Sequence, residues 1–181
     1  AGKIVVCQRG VTARVAKSLA VFNAGGVGMI MHENSDAGNL FSDTHWVPSV
    51  HVDQTPGLAI KAYIAANPGT ATATIVAPQK STWPFAPSMT DFSSRGPNAF
   101  AADIIKPDVT APGIQILAGN SPFPDPGTTP PGELFQAIAG TSMSSPHVAG
   151  VYALLKQAHP EWSAAVAKSA LMTTAHQNVL N

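Results

Sequence analysis

The chain has 181 residues, enough for one large or two small domains, and its ten Lys and Arg balance its ten Asp and Glu. At 11% charged residues, against roughly 25% in an average globular protein, it lacks the basic excess or stripe that a nucleic-acid or anionic-membrane partner demands. No run reaches the roughly eighteen apolar residues of a membrane-spanning helix, the lone Cys7 excludes an internal disulfide or a multi-cysteine zinc site, and 15 glycines and 16 prolines favour a loop-rich α/β architecture over a helical bundle.

The predicted elements begin with a β-branched strand from Lys3 to Val6 that ends at Arg9-Gly10. Thr12 heads an apolar-periodic helix through Val15, Leu19 and Phe22 that closes at Gly25-Gly26. A second strand runs from Gly28 to Met31, a polar loop passes through Asn34, Ser35, Asp36 and Gly38, and a third strand spans Val47 to Val52. Thr55-Pro56 opens a helix in the preferred cap and first-turn order, and Asn67-Pro68-Gly69 ends it. Thr70 to Val76 alternates Thr with Ala and reads as a strand, so residues 1–77 form a small α/β unit. Beyond it, prolines punctuate short segments, and Ser121 to Glu133, with five prolines and two glycines, reads as an exposed flexible loop. Leu134 to Ala139 is a strand, Gly140-Thr141-Ser142 a sharp turn, and Ser144 to Ala158 a helix with Pro146 in its first turn. Ser163 caps a last helix through Thr174.

Residues 140–150, Gly-Thr-Ser-Met-Ser-Ser-Pro-His-Val-Ala-Gly, carry the chemistry. A strand delivers Ser142 through a glycine turn to a helix start, where free backbone N–H groups and the positive helix end favour the oxyanion formed by serine attack on a carbonyl. A serine in that place is more often a cap than a nucleophile, and the spacing is not the Gly-x-Ser-x-Gly elbow, since Ser144 holds the last glycine position. These eleven residues resemble, without interruption, the nucleophile block of the subtilisin-like serine proteases. Phe92-Ser93-Ser94-Arg95-Gly96-Pro97-Asn98 and Ile105-Lys106-Pro107-Asp108-Val109-Thr110-Ala111-Pro112-Gly113 resemble two further blocks in the right order. Gly2 to Gly10 and Ala24 to Gly28 resemble the protease-associated module that some of these enzymes carry as an insertion.

The resemblance implies a protease-associated α/β domain over residues 1–77, followed over 78–181 by the carboxy-terminal part of a subtilisin-like catalytic domain with a parallel sheet. It makes Ser142 the nucleophile and its backbone N–H an oxyanion donor. His147 matches a family histidine that is not the general base, and Asn120 resembles the side-chain oxyanion asparagine only within a tripeptide. The family's catalytic Asp and His come from blocks that precede the inserted module, and neither block occurs here; Asp43-Thr44-His45 matches only in letters. The expectation is therefore a piece of a secreted serine endopeptidase acting on protein or peptide substrates. An upstream part of the same domain would supply Asp, His and the oxyanion Asn. Loss of the base costs on the order of 10⁶ in turnover in the family's own type enzyme, so the chain alone is expected to be nearly inactive.

Other residues carry weaker signals. Cys7 reads as a small core residue. Gly25, Gly26 and Gly28 follow a helix and precede a strand, the reverse of a dinucleotide-binding turn. His32-Glu33 begins but does not complete a zinc motif, and Asp36, Asp43, His45, His51 and Asp53 are too dispersed for a ligand set. Phe41 and Trp46 suit either loop anchoring or an exposed recognition edge. No cofactor is implied; structural calcium in the parent enzyme stays open, since no carboxylate-rich loop stands out. The rival reading is a noncatalytic protein-interaction module built on residues 1–77.

Overall fold

A computed structural model describes residues 1–36, 40–80, 82, 87–125 and 129–179, in two compact units. The first comprises Ala1–Lys80 and Leu117–Ile138, the second Ser81–Ile116 and Ala139–Asn181.

The first unit is built on three parallel strands in the order β1 (Ile4–Gln8), β2 (Gly28–His32) and β3 (Ser49–Val52), joined by α1 (Arg14–Asn23) and α2 (Gln54–Ala66). Register pairs Val6 with Ile30 and Ile30 with Val50. All five residues of β2 are buried, as a central strand covered on both faces requires. Side chains alternate across it. Met29 and Met31 pack with Val21 of α1 and with Val47, flanked by Val5 and Cys7, whereas His32 on the opposite face lies against Gly57 of α2. Both methionines are fully buried, which stabilises the unit by about 1.5–3 kcal/mol each relative to exposure.

Two glycines are dictated by this packing. A Cβ at Gly26 would sit 2.5 Å from a methyl of Val21, and one at Gly57 would sit 2.3 Å from the His32 Cβ. The start of α2 also differs from the sequence expectation: the helix begins at Gln54, and Asp36 reaches across from the preceding loop to cap it. Its carboxylate accepts from the Thr55 amide at 2.8 Å and from the Thr55 hydroxyl at 2.5 Å. These bonds hold the Asp36 carboxyl below its ordinary range.

Thr70 to Val76 forms no strand. The alternation is present, but Tyr63 of α2 takes the backbone groups that a ladder would use, its hydroxyl lying 3.3 Å from the Thr72 amide and 3.4 Å from the Thr72 carbonyl. Ile75 of this stretch reaches the sheet, its Cδ1 lying 3.0 Å from where a Cβ at Gly28 would sit. A two-stranded sheet of β4 (Ile116–Gly119) and β5 (Phe135–Ile138) completes the elements here. The loop between them was expected to be exposed, yet Thr129 is buried and accepts a hydrogen bond from the Asn120 side chain at 3.0 Å. Pro126–Thr128 and, in the earlier polar loop, Gly38 lie outside the described residues.

The second unit contains α3 (Thr141–Ala158) and α4 (Ala164–Thr174). Lys156 joins them, its ammonium donating to the carbonyls of Pro160 at 2.5 Å and Trp162 at 2.7 Å, while the His159 and Trp162 rings stack with centroids 4.0 Å apart. Ser163 caps α4 by accepting from the Val166 amide at 3.2 Å. The helix start expected at Ser144 falls instead at Thr141, directly after Gly140, so Pro146 lies inside α3. Having no N–H, Pro146 leaves the Ser142 carbonyl without its helical donor.

Candidate active site

Three sequence blocks meet in the second unit. Gly96 takes a left-handed φ of 82°, and a Cβ there would lie 2.1 Å from the Lys106 carbonyl oxygen, so the first block can approach the second only through glycine. Asp108 of the second block accepts from Lys106 at 2.5 Å and from Lys168 of α4 at 2.7 Å. Those two ammonium groups hold its carboxyl below the ordinary range, and in turn it raises that of Lys168. The second block then meets the third: the Gly140 amide donates to the Gly113 carbonyl at 2.8 Å.

Ser142 stands in the first turn of α3, exposed to solvent. A residue so placed has no helical acceptor for its N–H, and no other backbone partner takes the Ser142 amide among the described residues. Its hydroxyl is likewise without a hydrogen-bond partner there. An amide, a hydroxyl and the positive end of an 18-residue helix thus converge on one exposed point. A cleft of about 760 Å³ has Phe92, Asp108, Gly113, Gly140, Ser144 and His176 among its walls; Ser142 itself does not line it, although its neighbour Thr141 does. The sequence reading missed His176, which has no motif around it; its Nδ1 accepts the Asn178 amide at 3.1 Å.

His147 donates through Nδ1 to the Met143 carbonyl at 2.8 Å, one turn back on its own helix. Asn120 donates through its side chain to the Glu133 carbonyl and to Thr129, each at 3.0 Å, which ties down its own loop.

The scattered polar residues of the first unit serve the fold. Arg14 donates twice to Asp43, the Nη2 bond at 2.8 Å, and its guanidinium lies 4.5 Å from the centre of the Phe41 ring. Trp46 packs on Phe22 at 5.6 Å, so both aromatic residues make anchoring contacts. His51 Nε2 is 2.9 Å from Glu33. Ser18, fully buried, donates its single hydroxyl proton to the Val15 carbonyl at 2.7 Å. The Trp46 amide therefore donates to Ser18 at 3.3 Å, and so must His45 Nδ1 at 3.0 Å. Burial of Cys7 raises its thiol pKa against the opposing pull of Lys17, which disfavours the thiolate. Among the described residues, no three His, Cys, Asp or Glu side chains converge as a metal would need.

The profile of the Subtilase family matches residues 16–181. The chain belongs to the subtilase family. Among curated subtilases it is 45% identical over 181 residues to Subtilisin-like protease SBT1.3 of Arabidopsis thaliana, covering 97% of this chain and 23% of that protein. Subtilisin-like protease SBT1.4 of the same plant is 46% identical over 184 residues, with 97% and 23% covered, and Subtilisin-like protease SBT5.3 is 39% identical over 180, with 96% and 23% covered. The chain thus spans about a quarter of the length of these subtilases. No helix among the described residues is long and apolar enough to cross a membrane.

Proposed function

We propose that this chain supplies the nucleophile of a secreted serine endopeptidase that cleaves protein or peptide substrates by acyl transfer. Ser142 Oγ attacks the scissile carbonyl. A histidine from the remainder of a longer protein accepts its proton and later delivers it to the leaving amine, while an aspartate orients that histidine. The Ser142 amide and an asparagine side chain, the latter also from outside these residues, hold the oxyanion. Residues 1–77 act as a protease-associated module governing substrate access or partner binding, and residues 78–181 are the carboxy-terminal part of the catalytic domain. The observation that carries this reading is the exposed Ser142 at the amino end of α3, with hydroxyl and amide both unengaged, inside an uninterrupted family block.

The test is covalent labelling with a fluorophosphonate and mapping of the adduct by mass spectrometry. The full-length protein is expected to carry the label on Ser142 and to lose both label and peptidase activity in Ser142→Ala. The 181-residue chain alone is expected to turn over almost no peptide. Peptide cleavage by a full-length Ser142→Ala protein at the normal rate would refute the assignment, and efficient Ser142-dependent cleavage by the short chain would refute the need for outside residues.

A further inference from the structure

We infer that Gly113 is a positioning residue for Ser142, acting through Gly140 and the first turn of α3; this rests on Ser142 being the nucleophile. Gly113 touches the turn in two ways. Its carbonyl accepts the Gly140 amide at 2.8 Å, which fixes the backbone two residues before Ser142. Its bare Cα lets the turn close in from the other side: a Cβ at this position would lie 2.9 Å from the Gly140 carbonyl oxygen and 2.3 Å from Ser144 Oγ. Ordinary contact begins near 3.4 Å, so any side chain here moves something. Ser144 can turn its hydroxyl away by rotating about one bond. The Gly140 carbonyl has no such freedom, because the next peptide unit begins α3 itself.

That displacement is passed on to the helix. Met143 donates its amide to the same Gly140 carbonyl at 2.9 Å, so moving the oxygen pulls on the helical turn that carries Ser142. A nucleophile must meet its carbonyl within a few tenths of an ångström, and a misplacement of about 1 Å costs on the order of 100-fold in rate. Gly113 touches no reacting atom in this scheme. It sets where the Ser142 hydroxyl and amide stand relative to one another.

The experiment follows fluorophosphonate labelling of the full-length protein over time in the wild type and in Gly113→Ala. The amplitude reports the folded fraction, whereas the rate constant reports the placement of Ser142. The expected result is a rate constant lower by roughly 10- to 100-fold, with kcat for peptide cleavage falling in parallel and KM little changed. A rate constant within twofold of wild type, with only the amplitude reduced, overturns the inference and makes Gly113 a purely structural glycine. Where Gly113→Ala does not fold, Gly113→Ala combined with Ser144→Ala removes the closer of the two contacts, and its rate constant is compared with that of Ser144→Ala alone under the same criterion. A wild-type protein that cleaves peptides without any label on Ser142 overturns both this inference and the assignment of the nucleophile.

Discussion

Ser18 shows how one hydroxyl can settle the chemistry of its neighbours. Its only proton goes to the Val15 carbonyl, so the two groups that approach it from the 40–46 loop must both donate. His45 is therefore held as the Nδ1–H tautomer, and burial pushes its pKa below the ordinary value of 6.5, with Arg14 and His51 adding to the effect and Asp43 opposing it. The folded state favours the neutral ring, so the stability His45 contributes is fully present above the ordinary pKa of about 6.5 and is lost as pH falls below it. His45→Asn keeps a donor for Ser18 and removes the titration. Urea unfolding at pH 7.5 and pH 5.5 is expected to show a loss of stability on acidification in the wild type that is smaller in His45→Asn; equal losses would show that the acid sensitivity arises elsewhere.

At the scale of elements, the packing of α2 on β2 reverses an ordinary rule. Replacing a glycine inside a helix by alanine normally stabilises it by up to about 1 kcal/mol. At Gly57 the new methyl would meet the His32 Cβ at 2.3 Å, an atom held by the central strand, and overpacking of this kind costs about 1–3 kcal/mol. Gly57→Ala is therefore expected to lower the thermal midpoint, and a raised midpoint would show that α2 shifts freely on the sheet. Much of this architecture was legible beforehand, because β2 reads as an unbroken apolar run and the helix ends carry their glycines and prolines. The expectation for Ser142 rests on a different ground: its whole block is contiguous in sequence. Long-range partnerships were not legible. Asp36 caps a helix that starts 18 residues later, Gly113 meets a turn 27 residues away, and Tyr63 diverts Thr72 from the strand that its neighbours' alternation predicts. Pro146 misled for a local reason, since placing it in a first turn moved the expected helix start three residues past the true one.

For the molecule as a whole, α3 is an apolar helix without the burial its sequence asks for. It has 18 residues and no buried side chain among them; Leu154 is 66% exposed and Val151 41%. An apolar helix gains most of its stability from packing rather than from propensity. In the proposed full-length enzyme the remaining catalytic residues must lie close to the amino end of this helix, so α3 amides are expected to exchange at least about tenfold more slowly there than in the 181-residue chain, in line with local stability set by packing. Equal exchange in the two forms would mean that α3 stands free in both.

The first unit is assembled from two stretches of chain, Ala1–Lys80 and Leu117–Ile138, with Ser81–Ile116 belonging to the other unit. A ribosome working at about 5–20 residues per second needs roughly two to seven seconds to cross that interval. During those seconds the residues of the parallel sheet have all been made, but most of those of the two-stranded sheet have not. Each newly made copy thus passes through a waiting period, lasting until Ile138 has been added, in which the first unit lacks its second stretch, and in that time a chaperone or a protease can act on it.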